Sequence, residues 1–213
     1  LPLIAERFPA TLELVLVATF LSLIVGLPLG VITAIKRGKW YTEGLQFLSI
    51  VGVSLPSFVV GILLILVFAV ILGWAPSFGR GDVVQLGWWS TGFLTSSGRA
   101  ALILPSIALS LYQITLIMRL VRAEMLEVLR SDYIRFGRAR GLKERDLYFG
   151  HALRNTLIPV ITIAGLQIGS LIAFAIVTET VFQWPGVGLL FISSIQGVDV
   201  PLIAAYLMFI ALL

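Results

Sequence analysis

Five stretches of the chain are apolar almost without interruption, and polar segments separate them. The first covers residues 10–35 and stops at Lys36-Arg37-Gly38-Lys39; the second covers 47–72 and ends at Gly73-Trp74-Ala75-Pro76. A third covers 101–120 and a fourth 157–177, while a fifth opens at Pro201 and has 13 residues, to Leu213. A helix needs about 20 residues to cross a bilayer, so four complete spans and a truncated fifth are expected. Barrel strands would alternate over about ten residues, and these runs are continuous and longer. The expected fold class is therefore all-α, a polytopic transmembrane helical bundle.

Composition agrees. Hydrophobic residues make up 59 % and charged residues 12 %, about half the charged share of a soluble domain. The net charge of +4 would suggest nucleic acid in a soluble protein. Here the basic residues sit in connections between spans, so they report orientation and no nucleic-acid partner is expected. The absence of cysteine excludes disulfides, thiolate metal sites and cysteine nucleophiles. Leu1-Pro2-Leu3 is not a signal-peptide start, and with the short last run the sequence reads as one domain, 1–213, of a longer chain.

The first and third connections hold Lys36, Arg37, Lys39 and nine basic residues between Arg119 and Arg154, which is twelve of the fifteen in the chain. Arg7, Arg80 and Arg99 fall on the other side. This asymmetry predicts that connections one and three are cytoplasmic and that Leu1 starts outside. The second connection carries Trp74, Trp88 and Trp89 among Gly, Ser and Thr, which suits headgroup-level anchors or direct contact with a substrate. Gly26, Pro28 and Gly30, then Pro56 and Gly61, Pro105, and Gly165 and Gly169 interrupt the spans. They suit close helix packing or bending, and Gly165/Gly169 has small-xxx-small spacing.

The third connection, 131–155 within that domain, is the most informative. Residues 119–130 extend the third helix into water. Ser131-Asp132 offers a break and an N-cap for a short helix over 133–140. Gly141 suits a C-terminal cap with positive φ, and a further short helix is expected over 142–149, with Leu147, Tyr148 and Phe149 exposed.

Together Asp132-Tyr133-Ile134-Arg135, Arg138-Ala139-Arg140-Gly141-Leu142, His151-Ala152-Leu153-Arg154-Asn155, Leu157-Ile158-Pro159-Val160, Gly165-Leu166-Gln167, Glu179-Thr180-Val181-Phe182 and Trp184-Pro185-Gly186-Val187-Gly188 resemble the binding-protein-dependent ABC importer permeases. The match is nearest to their dipeptide/oligopeptide/nickel branch. The general E-A-A-x-x-x-G pattern keeps Gly141, with Arg135, Phe136 and Gly137 in its first three places. The resemblance implies a type I permease subunit whose helix after Gly141 seats in a cytoplasmic ATPase. The implied ATPase-coupling residues are Arg138, Ala139, Arg140, Gly141, Leu142, Lys143, Arg145, Leu147, Tyr148 and Phe149. It also implies a second homologous permease, two ATPase subunits, an extracytoplasmic substrate-binding protein, a bacterial or archaeal plasma membrane, and no cofactor. The solute would be a peptide, or nickel, glutathione or a sugar.

Gln167 is a candidate for the translocation path or for contact with a neighbouring helix, and Glu179, which matches the family pattern, for a gate or a packing role. Glu13 and Glu179 lie near outer span ends, where hydration is easy. His151, the only histidine, reads as structural, and no metal site is expected. There is no G-x-x-x-x-G-K-[ST] and no H-E-x-x-H, so neither nucleotide nor zinc catalysis belongs to this chain. A stand-alone secondary transporter or channel is the alternative, but such proteins place charges near the midplane, and these spans lack them.

Overall fold

The structure, a computed structural model, describes residues 2–212. Its elements are α1 (Pro2–Ile35), α2 (Trp40–Ser54), α3 (Ser57–Leu64), a π-helical turn (Ile65–Ile71), strands β1 (Val84–Leu86) and β2 (Trp89–Thr91), then α4 (Ser96–Val128) and α5 (Asp132–Ala139). A second π-helical turn (Asp146–Ala152), α6 (Leu153–Val181), α7 (Val187–Gln196) and α8 (Val200–Leu212) complete the chain. The all-α membrane bundle expected from the apolar runs is what forms.

Three of the described helical segments are long and apolar enough to cross a membrane: Pro2–Ile35, Ser96–Val128 and Asp146–Val181. The second apolar run departs from the expected single span, because it breaks between Ser54 and Ser57 and counts as a fourth crossing only if α2 and α3 are taken together. Pro56 supplies the reason. It has no N–H to donate and it biases Leu55 away from helical geometry, and its own ψ of 137° is extended.

The chain divides into two compact units. Among the described residues, the first comprises 2–19, 55–110 and 168–212. Its main core gathers Leu14, Val15 and Ala18 with Leu102, Leu109, Leu171 and Trp184. Smaller clusters centre on Ile4, Val187 and Tyr206 and on Leu104, Ala108 and Phe182. In the second connection, β1 and β2 pair antiparallel with Leu86 opposite Trp89. Gly87 at φ +68° opens the two-residue turn as this hairpin class requires. Trp74 and Trp88 are exposed, consistent with interfacial anchors.

The second unit comprises residues 20–54 and 111–167. Its core joins Val31 and Ala34 to Ile117, Val121, Met125, Ile134, Leu147, Ala152 and Val160. Here α1 meets α4 through Gly26 and Gly30: a Cβ on Gly30 would lie 2.6 Å from the Val121 Cβ and 2.8 Å from the Met118 carbonyl, and one on Gly26 would lie 3.0 Å from the Ile114 carbonyl. Small-xxx-small packing is therefore at Gly26/Gly30. At Gly165, where the spacing also suggested it, a Cβ would meet nothing within 4 Å.

Candidate functional site

The basic connection between α4 and α6 folds around one glycine. α4 ends at Val128 and Ser131 stands at the N-cap of α5. Its hydroxyl donates back to the Val128 carbonyl at 2.6 Å instead of capping α5. At the other end of α5, Gly141 takes φ +80°. The Leu142 N–H donates to the Gly137 carbonyl at 3.2 Å and the Gly141 N–H to the Arg138 carbonyl at 2.9 Å. These are the two reciprocal bonds of a Schellman cap, and a left-handed residue is required there. The expected cap thus forms.

The helix expected over 142–149 does not stand alone. Helical turns resume at Glu144 and pass as a π-turn through Gly150 directly into α6. Leu147 is also corrected: it is 1 % exposed and is no free anchor. Its Cδ2 would be 2.7 Å from a Cβ on Gly137, so Leu147 fills the space that the missing side chain leaves and ties α5 to the π-turn. Tyr148 is half-buried.

Arg138, Ala139, Arg140, Gly141, Leu142, Lys143, Arg145 and Phe149 are exposed. Sequence reasoning missed Tyr133 and Phe136, which are 43 % and 64 % exposed. Ile134 and Gly137 face inward from the same short helix, and that helical spacing is the signal that could have found the outward pair. The Arg140 guanidinium lies over the Phe136 ring, 5.5 Å from its centroid, and Asn155 Nδ2 donates to the Tyr133 hydroxyl at 2.7 Å. Arg138 Nε donates to Glu144 Oε1 at 2.9 Å. That hydrogen bond and charge hold the Glu144 carboxyl below its ordinary range and raise Arg138 above its own. Both side chains are wet, so the pair orders the cap with little energy of its own.

A second polar cluster sits inside the first unit. Glu179, at the end of α6, is fully buried. Its Oε1 accepts from the Thr11 hydroxyl at 2.6 Å and its Oε2 from the Leu189 N–H at 3.0 Å. The Thr11 oxygen in turn accepts from the Val187 N–H at 2.9 Å. Two otherwise unpaired donors of the first turn of α7 are thereby satisfied from α1 and α6. Gly186 lies so close that a Cβ there would collide with the Glu179 carboxylate. Trp184 Nε1 donates to the Ala10 carbonyl at 2.9 Å. The run 179–188, legible as a motif, is thus a closed knot of mutual contacts.

Glu13 is not hydrated either: it is 1 % exposed. Arg80 Nη2 donates to Glu13 Oε2 at 2.6 Å and to the Ser90 carbonyl at 2.7 Å, and Nη1 donates to the Ser90 hydroxyl at 2.9 Å. The one acid in the first apolar run and the two arginines, Arg80 and Arg99, in the second connection were the available signal for this pair. Gln167 is only partly buried and lies in the second unit.

A family model described as a binding-protein-dependent transport system inner membrane component matches residues 26–213. The chain is 44 % identical to the Di/tripeptide transport system permease protein DppB of Pseudomonas aeruginosa (strain UCBPP-PA14), over 97 % of this chain and 65 % of that protein. It is 42 % identical to the Oligopeptide transport system permease protein AppB of Bacillus subtilis (strain 168), over 95 % and 62 %. The chain thus spans a little under two thirds of the length of these relatives. The fold is shared with the inward-facing MetNI methionine ABC transporter, at a TM-score of 0.71 and 19 % identity, over 99 % of this chain and 90 % of that one. This multi-pass membrane chain belongs to the family of binding-protein-dependent transport system inner membrane components.

Proposed function

We propose that the chain is the transmembrane permease subunit of an ATP-driven importer for peptides or similar small solutes. The solute class follows from the di/tripeptide and oligopeptide permeases it is similar to. The protein works with a second homologous permease, two cytoplasmic ATPase subunits and an extracytoplasmic substrate-binding protein, in a bacterial or archaeal plasma membrane. Residues 131–155 form the cytoplasmic coupling loop. The observation that carries this reading is the Schellman-capped α5, fixed from beneath by Leu147 and presenting Tyr133, Phe136, Arg140 and Leu142 outward. Aromatic and arginine side chains on a rigid platform are the residues that anchor interfaces, and the surrounding cations favour one docking orientation. The knot around Glu179 holds the C-terminal end of α6 to the first turn of α7 and acts as part of the gate.

Affinity purification of the tagged full-length protein in mild detergent tests this. Co-purification of a second permease and nucleotide-hydrolysing subunits, reduced by Phe136→Ala with Arg140→Ala, is expected. A solitary protein without associated ATPase activity contradicts it.

A further inference from the structure

Within the second unit, a groove of about 320 Å³ runs between the last turns of α1 and the π-turn before α6. Val31, Ile32, Ile35 and Phe149 give it an apolar floor and wall, with Tyr148 beside them, and Lys36 and Arg145 stand at it. No acidic residue lines it, and among the described residues neither cation takes part in a salt bridge. Arg138, by contrast, is paired with Glu144.

The groove's level relative to the membrane is marked twice. α1 leaves its apolar run at Lys36. Four residues on, Trp40 and Tyr41 pack edge to face and are both exposed, Trp40 at 85 %, as expected of a headgroup-level aromatic belt. An apolar channel that opens at two unpaired cations at that level suits one amphiphile. Its aliphatic chain would lie along Ile32 and Ile35 while a phosphate meets Lys36 and Arg145.

We propose that this groove binds an anionic phospholipid. The lipid's chain covers the exposed face of Ile32, and its phosphate neutralises two cations that form no salt bridge among the described residues. Lysine near a membrane surface adds attraction to anionic lipid residue by residue, and arginine can engage phosphate with two parallel hydrogen bonds. The inference rests on the groove and the membrane level, and it competes with the expected placement of Arg145, Tyr148 and Phe149 against an ATPase subunit.

Native mass spectrometry of the full-length protein, purified with whatever subunits accompany it, provides the test. The probes are phosphatidylglycerol and phosphatidylcholine of identical chains. Wild type should retain phosphatidylglycerol in preference, and K36Q/R145Q should lower that preference by roughly tenfold to thirtyfold. R37Q/K39Q, whose side chains do not line the groove, should leave most of it. I32W should fill the groove and lower retention with every charge intact, which keeps the test valid if the charge variant purifies poorly. Equal loss in K36Q/R145Q and R37Q/K39Q would mean diffuse surface attraction and overturn the site. Absence of a wild-type preference would overturn it as well. So would a K36Q/R145Q protein that keeps its lipid but sheds an ATPase subunit, since the groove would then be a protein interface.

Discussion

The guanidinium of Arg80 and the carboxylate of Glu13 meet at 2.6 Å with both side chains buried, and Arg80 also holds the strand residue Ser90 through two further bonds. The pair is how the hairpin of the second connection is fastened to α1. Removing either partner alone strands a buried charge, at a cost of about 3–5 kcal/mol. Glu13→Ala and Arg80→Ala should each lower Tm in detergent markedly, whereas Glu13→Leu with Arg80→Met should lose less than either single change. Additive losses in the double variant would show that the two residues act separately.

The knot at Glu179 makes a graded prediction. Glu179→Ala leaves the Leu189 N–H without its acceptor and the Thr11 hydroxyl without its partner, costing about 1–3 kcal/mol per group stranded. Glu179→Gln keeps an acceptor and should cost less. Gly186→Ala drives a methyl into the carboxylate and should be at least as harmful as Glu179→Ala in thermal melts. Equal stability across the three would refute the contact set.

The two glycine pairs separate by the same logic. Gly30→Leu must push Val121 or the Met118 backbone aside, an overpacking cost of about 1–3 kcal/mol or more. Gly165→Leu enters open space and should leave Tm nearly unchanged. A reversed order, read from thermal unfolding of the two variants side by side, would relocate the seam.

The Arg138–Glu144 pair has a pH signature of known sign. Glu144 titrates below its ordinary range, so its contribution to the Gly141 cap is present above the ordinary carboxylate pKa. It disappears as pH falls through the depressed value. Amide exchange at Gly141 and Leu142, corrected for intrinsic rates, should therefore accelerate relative to the protein's core on acidification. It should do so less in Glu144→Gln. The effect is small because both groups are solvated, and added salt should shrink it further.

Much of this was legible in the residues. Lipid excludes unpaired backbone groups, so uninterrupted apolar runs specified the helical bundle. Gly141 was readable because a left-handed cap admits few alternatives. What escaped depended on partners distant along the chain. Leu147 looked like an anchor because its neighbours are charged, yet Gly137, ten positions earlier, creates the space that buries it. Glu13 looked hydrated until Arg80, 67 residues on, was placed beside it. Gly165 and Gly169 have the same spacing as Gly26 and Gly30, and only the facing helix decides which pair is a seam. Pro56 was recognised as a perturbation, and the extended backbone it takes turns that perturbation into a full break of the second run.

In the proposed function, the α5 platform shaped by Gly141 transmits ATP-driven motion to the spans. A valine at Gly141 would be held at φ +80°, where a β-branched residue is strained, at about 1–2 kcal/mol, while asparagine tolerates this region better. The most direct measurement is substrate-stimulated ATPase activity of the reconstituted full-length importer for Gly141→Val and Gly141→Asn, with Tm recorded for each. At least a tenfold loss of stimulation is expected in Gly141→Val (about 1.4 kcal/mol), with a Tm close to wild type and substantial recovery in Gly141→Asn. Full stimulation in a folded Gly141→Val importer would contradict it.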